Sequence, residues 1–130
     1  VSKKTDLETH ICDVQKGLKD DQVVLKQKEI ALTHAQEDME EKRVDWAHHK
    51  TNHKFMQFKA TIVDVKEYRG VLQLLKDAKE KFNEAATKVH GLSKTVLILR
   101  KQVDGRLAEI ARAKDALASM GEVLEFRRTK

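Results

Sequence analysis

The chain has 130 residues, no proline, one cysteine, 5% aromatics and 36% charged residues, which bounds it to one domain-sized unit. That mixture is rich in helix formers and, with hydrophobics at 40%, excludes both a disordered chain and a thick aromatic core. The net charge of +5 is uneven: residues 1–50 carry nine Lys/Arg against eleven Asp/Glu (net −2), and residues 51–130 carry seventeen against ten (net +7).

The first predicted helix opens at Thr5, where Thr5-Asp6-Leu7-Glu8 fits a capping box. Its apolar row repeats every seventh residue through Ile11, Leu18, Leu25, Leu32, Met39 and Trp46. The companion row is poorer, since Asp21, Lys28, Lys42 and His49 interrupt Leu7, Val14 and Ala35. This is a narrow stripe that leans on a partner or frays near Asp20–Asp21. Gly17 inside it costs about 1 kcal/mol relative to alanine, which a long helix tolerates.

A middle segment, Phe55, Phe58, Ile62 and Val65, is also spaced for a helix but falls out of phase with the first. Two phase changes follow, near 47–54 and 66–71, each a turn or a local change of winding. The first junction, Ala47 to His53, is polar and offers Thr51 and Asn52 as caps, while Gly70 offers a helix end at the second. Gly91 followed by Ser93 marks a third, weaker candidate. The expected breaks are therefore 48–54, 68–71 and, less strongly, 90–93, within a single helical domain spanning 1–130.

The last segment carries the main signal. Leu75, Phe82, Val89, Val96, Val103, Ile110, Leu117 and Leu124 recur at every seventh position. Val71, Ala78, Ala85, Leu92, Leu99, Arg106, Ala113 and Met120 interleave with them, and Arg106 is the single polar member. Alternating steps of three and four put both rows on one stripe, the pattern of a coiled-coil seam. Arg106 is either a register-setting polar residue or one that snorkels to water, with Glu109 and Asp104 nearby as partners. Leu72, Leu74, Leu107 and Val123 widen the stripe, and Leu97 and Ile98 lie outside it, so this helix is read as touched on more than one side. The fold class expected is all-α, an elongated coiled coil or antiparallel helical hairpin, with a three-helix bundle as the alternative.

Candidate chemistry is sparse. His49 and His53, four apart with Asp45 one turn earlier, are the one group with metal-like spacing, but structural zinc wants four ligands and the expected state is no metal. Trp46, Phe55 and Phe58 form a candidate aromatic hot spot, weighed against a role as plugs where stripes change phase. Cys12 lacks an orienting base, the glycines are scattered singly, and no enzyme or cofactor is read. A lone cysteine also points to a reducing, cytoplasmic compartment, with a cytoskeletal setting and a secreted origin left open. The longest apolar run, Val96 to Leu99, is too short to cross a bilayer. The stretch Lys54-Phe55-Met56-Gln57-Phe58-Lys59 resembles an FxxF element of coiled-coil proteins of cilia and flagella, and no residue role is carried over from it.

The function expected is a non-enzymatic structural or protein–protein interaction module. Its seam would be Leu75, Phe82, Val89, Leu92, Val96, Leu99, Val103, Ile110, Leu117 and Leu124, engaging a helical protein partner or a second copy. The alternative is electrostatic binding of an acidic polymer, such as nucleic acid or an acidic protein surface, or of an anionic membrane, by the basic second half.

Overall fold

The computed structural model describes residues 2–58 and 64–129, with side chains over 3–57 and 64–120. Two helices, α1 (Ser2–Phe58) and α2 (Val65–Thr129), pack as an antiparallel hairpin, and no strand occurs among the described residues. The expected hairpin is the observed architecture. The three-helix alternative falls, because both inner breaks it needed are helical.

Each correction has a local cause. The polar stretch Ala47–His53 continues α1, and its seam positions stay in the phase of Trp46: His49, His53 and Met56 are half-buried in turn. The candidate cap Thr51 donates its hydroxyl back to the Ala47 carbonyl at 3.1 Å, as Thr33 does to Glu29 and Thr87 to Asn83. The segment 90–93 lies inside α2, where Val89, Leu92 and Val96 carry the seam straight through Gly91. At the other end of α1, Thr5 is an interior residue because the helix already begins at Ser2.

The break expected at 68–71 falls within α2 as well. Asp64 begins that helix instead: its carboxylate accepts the Lys66 amide at 3.2 Å, and its carbonyl accepts the Tyr68 amide at 3.1 Å. Asp64-Val65-Lys66-Glu67 has the spacing of a capping box, with Glu67 placed favourably in the first turn. Gly70 then sits one turn inside the helix, with open space where a side chain would project. Ile62 of the expected middle stripe and the side chain of Phe58 lie outside the described residues.

Contacts divide the chain into two units, one of residues 1–28 and 95–130, the other of 29–94. In the first, Ile11, Val14, Ile110 and Ala113 form a buried cluster, with Leu7, Leu18 and Leu117 packed against it. Val96 is 2% exposed and Val103 is also buried in this unit. In the second, the buried positions are small, namely Ala35, Ala78 and Ala85, and bulkier half-buried residues such as Trp46, Phe82 and Val89 fill the seam around them. Alanine at buried seam positions brings backbones close, which suits a thin two-helix interface. Lys101 faces water on α2, so Lys101→Asp is expected to change the urea midpoint by less than about 0.5 kcal/mol equivalent.

Candidate functional site

The seam is the first candidate, and the chain itself occupies it. Val96, Val103 and Ile110 are buried, while Leu75, Phe82, Val89, Leu92, Leu99 and Leu117 are half-buried. The Leu124 side chain lies outside the described residues. Outward of the seam, Leu74, Leu97, Ile98 and Leu107 on α2 and Val23, Ile30 and Val44 on α1 are exposed apolar side chains. Leu97 and Ile98, read as standing apart from the stripe, do so.

Polar residues interrupt this seam in unit 1. Arg106 Nε donates to Asp21 Oδ2 at 2.5 Å, joining the one polar member of its row on α2 to the acid that breaks the companion row of α1. Neither Glu109 nor Asp104 is the partner. The Arg106 guanidinium lies against Gly17, where a Cβ would sit 2.7 Å from Cζ. One turn further along α2, Glu109 Oε1 stands 2.9 Å from His10 Nε2 of α1. Sequence reasoning noted Gly17, Asp21 and Arg106 singly. Their shared signal was a glycine four residues before the acid in a helix otherwise free of glycine, and only the pairing of helices explains it.

In unit 2 the aromatic and histidine groups separate. Trp46 packs on Phe82 with ring centroids 5.2 Å apart, and Lys50 Nζ stands 3.6 Å over the indole. Phe55 is 54% exposed, because the seam continues in the phase of Trp46 and leaves residue 55 on the outer side. Of the expected hot spot of Trp46, Phe55 and Phe58, Trp46 thus pairs with the seam residue Phe82, and the side chain of Phe58 lies outside the described residues.

The histidines also point apart. His49 Nε2 lies 3.6 Å from Asp45 Oδ1, whereas His53 Nε2 shares a 3.1 Å hydrogen bond with the Tyr68 hydroxyl of α2. His49 Nδ1 is buried without a hydrogen-bond partner. Among the described residues no three His, Cys, Asp or Glu side chains converge as a metal would require, so Asp45, His49 and His53 do not form a ligand set. Tyr68 occupies the row that leads into Leu75, and Tyr68→Phe removes the hydroxyl that links it to α1. That change is expected to cost about 0.5–1.5 kcal/mol in thermal unfolding.

Surface charge is organised locally. Arg43 holds Glu40 through two hydrogen bonds of 2.9 and 2.6 Å, and this pairing lowers the Glu40 carboxyl below its ordinary range and raises Arg43. A lowered carboxyl supports the fold above its unfolded pKa and loses that support as pH falls through the folded one. The pair is exposed and joins residues three apart on one helix, so its effect is confined to α1. An open hollow of about 550 Å³ along Glu41, Lys42, Val44, Asp45 and His48 is lined by α1 alone, without an opposing wall. No described helix is long and apolar enough to cross a membrane.

No family model, curated protein or solved structure matches this chain. The functional reading therefore rests on the residues and their geometry.

Proposed function

We propose that this chain is a non-enzymatic scaffold or spacer module that presents a self-closed helical hairpin to a helical protein partner. The observation that carries this reading is the occupied seam: a heptad-spaced stripe along the described part of α2 is buried or half-buried against α1 of the same chain. Such a hairpin leaves its outer faces for recognition. A partner helix would dock on outward apolar side chains such as Leu97 and Ile98, each more than half exposed, rather than displace Val96 or Val103. An apolar face of this kind is held by burial of surface, which salt weakens little.

The second reading, electrostatic binding by the basic second half, keeps its support in the net +7 of residues 51–130. Salt separates the two. Binding to a single-stranded DNA oligonucleotide and to anionic vesicles is measured by fluorescence anisotropy and sedimentation, from about 50 to 200 mM salt. Counterion release would cost an electrostatic binder with 6–10 phosphate contacts about 10³–10⁵ in affinity over that range. The scaffold reading expects no such binding, and association with a protein partner that survives the higher salt. Tight, salt-steep binding to either probe replaces it with the electrostatic one.

A further inference from the structure

We propose that Gly17, Asp21 and Arg106 form a register lock, a polar insertion that selects one alignment of α1 and α2. Three observations meet here. Arg106 is the one polar residue in a row of apolar ones, and its guanidinium bonds Asp21 across the helices at 2.5 Å. The two side chains are 39% and 23% exposed, partly withdrawn from water. Finally, Gly17 has an ordinary helical backbone without a positive φ, so nothing in its conformation calls for glycine. What calls for it is room, since a Cβ would meet Arg106 Cζ at 2.7 Å. The guanidinium is the flexible end of its side chain and could move aside, but moving would draw it away from Asp21.

A heptad seam alone is degenerate, because sliding one helix by seven residues again sets apolar rows face to face. The polar pair removes that degeneracy. Slid one way, Arg106 would face Val14 and Asp21 would face Leu99, leaving both charges against apolar residues. Slid the other way, Arg106 would face Lys28, a like charge, and Asp21 would face Ala113. In a parallel, in-register pair of α2 helices from two copies, Arg106 would face its own counterpart. Each alternative leaves a charge unpaired or opposed, which partly buried positions tolerate poorly. The lock does not depend on the partner proposed above; it concerns which hairpin any partner meets.

The test places spin labels on the native Cys12 and on a cysteine introduced at Ala111, both exposed positions of unit 1. The native chain is expected to give one narrow distance. Asp21→Leu with Arg106→Leu, checked for retained helicity by circular dichroism, is expected to add a population displaced by about 10 Å along the axis, one heptad at 1.5 Å per residue, or a doubled solution mass. A single unbroadened native distance at the native mass would overturn the lock. Should the double-leucine chain aggregate, Gly17→Ala answers the same question with both charges kept. It denies the guanidinium its seat and is expected to broaden the distance distribution, and an unchanged distribution removes Gly17 from the device.

Discussion

Val96→Asp is expected to lower stability by about 3–5 kcal/mol, the largest effect of any single substitution considered for this chain. Val96 is 2% exposed and sits in the seam of unit 1, so a carboxylate there loses water without gaining a partner. Valine and aspartate have similar helix propensities, so the loss comes from burying the charge. Against a typical total of about 5–15 kcal/mol, the loss is a large share. Urea unfolding followed by far-ultraviolet circular dichroism measures it, and Val103→Asp at a second buried seam position should behave alike. Ile98→Asp is the matched control, two residues away and 57% exposed, with an expected change within about 0.5 kcal/mol. Equal midpoints for Val96→Asp and Ile98→Asp would refute the assignment of the seam.

Arg106→Leu alone is expected to cost about 1–2 kcal/mol, because it leaves the Asp21 carboxylate facing an apolar residue. The lower part of the usual range applies since Asp21 keeps 23% of its exposure, and water makes up part of the lost partner. Adding Asp21→Leu should recover that loss and can exceed it, as apolar replacements of partly buried ion pairs often do. Gly17→Ala completes the cycle. In the native chain the gain of about 1 kcal/mol from alanine is opposed by displacement of the guanidinium, whereas in the double-leucine background the gain should appear in full. Thermal unfolding of these variants gives the coupling directly. Additive effects, with Gly17→Ala equally stabilising in both backgrounds, would mean that Gly17 and Arg106 do not act on one another.

Much of the fold was legible because heptad spacing is a local property. The rows through Val89, Val96, Val103 and Ile110 demanded one buried stripe, and it is buried or half-buried throughout the described range. Helix ends were less legible. Phe55, Phe58, Ile62 and Val65 imitated a new helical phase and drew attention from Asp64-Val65-Lys66-Glu67, the capping sequence at which α2 begins. Glycines misled in the same way: Gly70 and Gly91 looked like ends, yet an exposed glycine inside a long helix costs only about 1 kcal/mol, and continuing the seam outweighs that.

The candidate site was legible only in fragments. Asp45, His49 and His53 share a helical spacing, but spacing is silent on which way a ring turns, and Tyr68 of the other helix takes His53. Likewise the ring that Trp46 meets, Phe82, lies on the other helix.

Composition and period by themselves determined that this chain is helical, that a single stripe on α2 must be covered, and that Arg106 interrupts it. Those follow from hydrophobic burial and backbone geometry, which act along one helix without reference to any other. Only the tertiary structure decided what covers the stripe, where α2 begins and which acid meets Arg106. Partners separated by 85 positions, as Asp21 and Arg106 are, become neighbours solely through the packing of one helix on the next.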